Sequence, residues 1–83
     1  MHNLELYYFP ACPYCQLVVS KISELKLSIP FKNIQTNQEA YKKLISDTGR
    51  RTVPCLYIDG KPMHESQDIM RWLEKNQSKI KSA

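Results

Sequence analysis

The sequence predicts an α/β sandwich of order β-α-β-α-β-β-α, a four-stranded mixed sheet carrying three helices. Three observations predict it. Apolar strand-like runs alternate with helix-period runs in the first half. Asp59-Gly60 marks a tight hairpin between two short strand-like runs in the second half, and a last helix-period run follows Ser66. The chain contains no internal repeat and no Gly-, Ser- or Pro-rich linker, so residues 1–83 are expected to form one domain around one core.

Leu4 to Phe9 is almost continuously apolar and β-prone, the pattern of a strand covered on both faces, and Pro10 ends it. From Pro13 the residues Cys15, Val18, Val19, Ile22 and Leu25 recur at helical spacing. Pro13 suits the first helical position, where its missing N–H costs nothing, and the helix is expected to reach about Leu27. Ile29 to Ile34 reads as a short second strand with Pro30 at its entry. Thr36 or Asn37 can cap a second helix that carries Ala40, Tyr41, Leu44, Ile45 and Thr48 on one side and stops at Gly49. Val53 to Ile58 forms the third strand and Lys61 to His64 the fourth. The right-handed crossover rule implies parallel pairing through the two helices, and the hairpin makes the last pair antiparallel. Ser66 is expected to cap the third helix, with Asp68 in its first turn and Ile69, Trp72 and Leu73 as its buried face. The polar tail, residues 76–83, alternates Ser and Lys and is expected to fray.

Hydrophobic residues at 42% and charged residues at 24% exclude disorder, a collagen-like chain and a coiled coil. The net charge of +4 is spread among acids along the whole chain, which reads as a solvated surface and not a nucleic-acid footprint. The local exception is Arg50-Arg51 beside Gly49, a candidate anion site in a loop. The N-terminal residues lack a basic leader followed by an apolar stretch, and no window approaches the ~20 apolar residues of a membrane span. A soluble, cytoplasmic monomer with no membrane partner is expected. One close pair of cysteines and a remote Cys55 do not match the even-numbered framework of a small secreted protein, which points to a reducing compartment and a redox-active pair.

That pair lies in Cys12-Pro13-Tyr14-Cys15, between the first strand and the first helix. A cysteine at a helix start meets unpaired backbone N–H groups and the positive end of the helix dipole, which favours the nucleophilic thiolate. Cys12 is therefore the candidate nucleophile. Cys15, one turn inside the helix, is expected to be less exposed.

Cys12-Pro13-Tyr14-Cys15, Thr52-Val53-Pro54, Asp59-Gly60 and Glu65-Ser66 before a last helix together resemble the glutaredoxins over about residues 3 to 75. The stretch from Val53 to Leu73 is also similar to the N-terminal domain of glutathione S-transferases, without the helical second domain of those enzymes. The resemblance implies a thioredoxin-like fold and a glutathione-disulfide oxidoreductase, with glutathione as reducing co-substrate and glutathionylated or disulfide-bearing proteins as partners. It implies the family's range of reduction potential, about −200 to −230 mV. It further implies a cis Val53-Pro54 bond whose Val53 backbone pairs with the cysteinyl part of glutathione, beside Tyr14 and Thr52. Glu65 and Ser66 match the positions that hold the γ-glutamyl end. Two features depart from the family. Phe9 stands where a basic residue often precedes the first cysteine by three places, leaving Arg50 or Arg51, with Arg51 taken into the site, to meet the glycine carboxylate. His64-Glu65 replaces a common glycine pair.

Within this reading Cys12 attacks and Cys15 resolves. Cys55 is either a small core residue or a third redox thiol able to pair with Cys12 in a sensor. A zinc site lacks a second close ligand pair among Cys12, Cys15, Cys55, His64 and His2, so no metal ligand is assigned. An iron–sulfur carrier remains the non-enzymatic alternative, found in the family mainly with smaller residues than Pro13 at the second motif position. Tyr7, Tyr8 and Tyr57 are expected in the sheet, and His64 on an edge strand without a catalytic role.

Overall fold

A computed structural model of the chain describes residues 3–80. The elements are β1 (Leu4–Tyr8), α1 (Pro13–Glu24), β2 (Phe31–Asn33), α2 (Gln38–Thr48), β3 (Cys55–Ile58), β4 (Lys61–Met63), α3 (Ser66–Asn76) and a closing 3-10 turn (Gln77–Lys79). The sheet order is β2-β1-β3-β4, with β1 parallel to β2 and both the β1–β3 and β3–β4 pairs antiparallel. The expected α/β sandwich with a four-stranded mixed sheet is therefore present.

The direction of β3 corrects the expectation of parallel pairing through both helices. β2 leaves the sheet at the Tyr8↔Asn33 pair, and β3 enters it at the neighbouring Tyr7↔Cys55 pair. The chain through α2 thus starts and finishes at the same end of the sheet, whereas a parallel return must begin at the other end. Asp59 and Gly60 both adopt positive φ, 51° and 87°, as a two-residue hairpin turn requires.

Helix ends follow local chemistry. Asn37 caps α2 by accepting from the Ala40 N–H at 3.0 Å, and Gly49 ends it at φ 75°. α1 stops at Glu24, short of Leu27. Lys26 turns left-handed at φ 56°, and the Leu27 N–H closes back on the Ile22 carbonyl at 3.1 Å, a glycine-type ending built without glycine. Ser66 is the first residue of α3 and not its cap. That position falls to Glu65 at φ 68°, with no side-chain hydrogen bond to the helix.

The core lies on both faces of the sheet. On one face Leu4, Leu6 and Leu56 pack with Val18 and Ile22 of α1 and Ile69 and Leu73 of α3, with Trp72 partly buried at the edge. On the other, Tyr7, Cys55 and Tyr57 pack with Ile34 and with Ala40 and Leu44 of α2. The Tyr57 hydroxyl donates to Asp47 Oδ2 at 2.8 Å, and Lys43 Nζ reaches the same oxygen at 3.0 Å. The Lys43 and then the Tyr57 hydrogen bond hold the Asp47 carboxyl below the ordinary carboxylate range, fastening α2 to β3.

Part of the tail expected to fray has defined backbone. Residues 77–79 form the 3-10 turn, and Ile80, 8% exposed, joins the α1–α3 side of the core. One apolar residue after the polar stretch is enough to dock it; residues 81–83 lie outside the described residues. Ile80→Ala is expected to lower the unfolding free energy by about 2 kcal/mol, read as a shifted denaturant midpoint at unchanged slope.

Candidate active site

Strand direction gathers the site. β1, β2 and β4 finish, and β3 begins, at the same end of the sheet. The loops that carry Cys12, Gln35, Val53 and Glu65 therefore emerge together, although the sequence scatters them over more than half its length.

After β1 the chain turns at Pro10 and Ala11. The Cys12 N–H donates to the Phe9 carbonyl at 3.2 Å, and Gln16 Nε2 donates to the Pro10 carbonyl at 3.0 Å, fixing the turn from the first coil of α1. Cys12 is the N-cap residue, with extended backbone at φ −78° and ψ 120°, and no side chain caps the helix. Its sulfur stands at a helix start whose backbone donors lack a capping acceptor. Gln16 carried no signal in the sequence beyond its place four residues after Cys12.

The two sulfurs differ in surroundings. Cys12 is 8% exposed and Cys15 0%. The Cys15 thiol is pushed up to about 12, chiefly by burial, with the hydrogen bond to Cys12 adding to the shift and the Phe9 backbone opposing it. The Cys12 thiol donates a long contact of 3.9 Å to the Val53 carbonyl. The Val53-Pro54 bond is cis, as the resemblance implies, with Thr52 exposed, Val53 half-buried and Pro54 buried. Tyr14, beside the pair on α1, is 63% exposed.

Cys55 is fully buried, and burial pushes its thiol up to about 12. It belongs to the α2 face of the sheet, while the α1 that carries Cys15 packs on the opposite face. Of its two sequence readings, the core residue is the one this geometry matches.

Glu65 and Ser66 follow β4 on one flank of the sulfur pair. Glu65 is exposed and holds positive φ without being glycine, a backbone outlier of the kind that clusters at functional sites. Beside it, His64 Nδ1 is buried without a hydrogen-bond partner. Burial and then the nearby charge of Arg50 push this imidazole down, towards its neutral form.

The two arginines diverge. Arg50 acts on His64, whereas Arg51 lines a cavity of about 470 Å3 with Phe9, Ile34, Gln35 and Tyr41, on the other flank of the sulfur pair. The sequence does not mark Tyr41 and Gln35 as site residues, because a half-buried tyrosine on a helix reads as packing. Among the described residues, no group of three or more His, Cys, Asp and Glu is placed to hold a metal ion, and no helix is long and apolar enough to cross a membrane. His2, weighed as a zinc ligand, lies outside the described residues.

Residues 6–80 match the family profile described as glutathione S-transferase, N-terminal domain. Glutaredoxin 3 of Escherichia coli strain K12 is 30% identical over 69 residues, 83% of this chain and 83% of that protein. A wheat glutaredoxin structure is 26% identical, with a TM-score of 0.65 over 88% of this chain and 71% of that one. A Drosophila mojavensis glutathione transferase homologue, solved with bound glutathione, superposes with a TM-score of 0.75 at 23% identity. That match covers 92% of this chain and 36% of the homologue. The paired thiols at the start of α1, the sheet order and these likenesses agree, and the chain belongs to the glutaredoxins, thiol–disulfide oxidoreductases of thioredoxin-like fold, in a form akin to the glutathione S-transferase N-terminal domain.

Proposed function

We propose that the chain is a glutathione-dependent enzyme that reduces protein–glutathione mixed disulfides and, using both thiols, protein disulfides. The observation that carries this reading is the inequality of the two sulfurs. Cys12 is the N-cap of α1 and keeps 8% of its surface exposed, and Cys15 lies beside it, fully buried and held as a thiol.

The Cys12 thiolate attacks the glutathione sulfur of a mixed disulfide. The Cys12–glutathione bond forms as the protein–glutathione bond breaks, and the protein sulfur leaves as a thiolate that takes a proton from water. A second glutathione thiolate then attacks the bound glutathione sulfur, which yields oxidised glutathione and returns the Cys12 thiolate. With a protein disulfide, Cys12 first forms a mixed disulfide with the substrate. Cys15 then attacks the Cys12 sulfur, its proton passes to the departing protein sulfur, and a Cys12–Cys15 disulfide remains for glutathione to reduce.

Placement of glutathione rests on the same geometry. The Val53 carbonyl, within reach of the Cys12 thiol, is the acceptor a cysteinyl N–H would take in strand-like pairing. The uncapped start of α3 offers backbone N–H donors to the γ-glutamyl carboxylate, and the exposed Glu65 carboxylate complements its ammonium. Tyr14 and Thr52 border this groove, and Arg51 stands towards the glycine end. A reducing, cytoplasmic setting fits a chain whose three cysteines are free thiols.

In glutathione-coupled reduction of a small glutathione mixed disulfide, Cys12→Ser is expected to fall to the uncatalysed background while Cys15→Ser keeps turnover of the wild-type order. Equal loss in both variants, or a wild type without glutathione-dependent turnover, refutes the assignment. Iodoacetamide at neutral pH is expected to label Cys12 alone in the folded protein. Cys15 and Cys55, held near 12 and fully buried, should become reactive only on unfolding, as mapped by peptide mass spectrometry.

A further inference from the structure

The cavity walled by Phe9, Ile34, Gln35, Tyr41 and Arg51 measures about 470 Å3, within the roughly 300–1,000 Å3 of small-molecule sites. Two of its walls belong to the segments that carry the site. The Phe9 carbonyl accepts the Cys12 N–H at 3.2 Å, and Arg51 stands two residues before Val53. Phe9 follows β1 and Ile34 follows β2, whereas Glu65 follows β4 at the far edge of the sheet. A peptide thiol held at Val53 with its γ-glutamyl end at Glu65 therefore directs its opposite end towards this cavity. In such a peptide the residue directly after the cysteine is the first to extend on this side.

The chemistry of the walls goes beyond what a glycine can use. Phe9, Ile34 and Tyr41 present apolar surface, two of them aromatic, while Gln35 and Arg51 supply polar groups. Arg51 makes no ion pair among the described residues, so its guanidinium is available to a carboxylate. A glycine offers that carboxylate and no side chain, which leaves the aromatic walls against water.

Resting on the proposed function, we infer that this cavity selects the C-terminal residue of the thiol co-substrate, with Arg51 taking its carboxylate and Phe9 and Tyr41 its side chain. γ-Glutamylcysteinyl peptides that end in a large apolar residue are then accepted at least as well as glutathione. The residue that departs from the family at position 9 becomes a determinant of co-substrate choice.

The Cys15→Ser protein, which traps the Cys12 adduct, tests this with four symmetric disulfides. They are those of glutathione, of its C-terminal amide, and of γ-glutamylcysteinyl-leucine and γ-glutamylcysteinyl-phenylalanine. In each exchange Cys12 gains one peptide sulfur and the other leaves as a free thiol, so the equilibrium constant follows from intact mass and thiol titration. The leucine and phenylalanine peptides are expected to match or exceed glutathione, by up to roughly tenfold. The amide is expected to fall several-fold, and the exposed-site change Arg51→Gln should erase the difference between acid and amide. Phe9→Lys should return the preference to glutathione, with circular dichroism and melting confirming that each variant is folded. Tenfold weaker adducts from the two apolar peptides, or an acid-to-amide ratio unmoved by Arg51→Gln, overturn the inference while glutathione exchange survives. A protein that forms no adduct with any of the four overturns the parent reading and this inference with it.

Discussion

β1 is paired along both edges and covered on both faces, and the geometry of the sulfur end depends on that one strand. Its even-numbered residues Leu4 and Leu6 enter the α1–α3 core, while Tyr7 enters the α2 core. A slip of one residue would exchange these sets and drive Glu5 into an apolar interior, so the register is held by several buried side chains at once. With the register fixed, the loop that follows β1 has one place to go, and Cys12 arrives at the start of α1 opposite the strand that begins at Cys55. The chemistry is carried on loops, but their positions are inherited from a buried central strand.

The same economy governs the sulfurs. Two thiols three residues apart on one helix need not differ, since both belong to the first turn. Here Cys12 occupies the cap position and keeps 8% of its surface exposed, while Cys15, one turn on, is fully buried and hydrogen-bonds the Phe9 backbone. Burial then pushes the Cys15 thiol up. The third thiol shows what burial does without such a neighbour. Behind the sheet, among Tyr7, Leu44 and Tyr57, Cys55 behaves as a small apolar residue despite lying in sequence beside the site's proline.

Much of this was legible in the chain. The run from Leu4, Pro13 at a helix start, Asn37 and Gly49 as helix boundaries, and Asp59-Gly60 as a turn each rest on a local rule with a short range, and each element formed where its rule placed it. The departures share another cause. Lys26 adopts a glycine-like conformation because Leu27 is drawn into the core and the chain must reverse to bring it there. β3 runs antiparallel because the connection through α2 returns to the end of the sheet that β2 left, and no property of the strand's own residues encodes that. Ile80 docks because α1 and α3 leave an apolar edge open, which a polar tail does not advertise. Within the site, the residues legible early were those with unusual chemistry, the cysteines and the arginines. Gln16, Gln35 and Tyr41 became visible only through the backbone that surrounds them.

Glu65 carries one more consequence. A side chain at φ 68° is held against its own steric preference by about 1 kcal/mol, and a glycine there would relax it. The fold would gain stability by such a change and would lose the carboxylate that stands at the threshold of α3. This position therefore marks a spot where the molecule is less robust than its architecture permits. Anyone seeking a hardier variant should expect the easiest improvement to be the one that removes the carboxylate proposed to meet the γ-glutamyl end, and should look for stability on the α2 face instead.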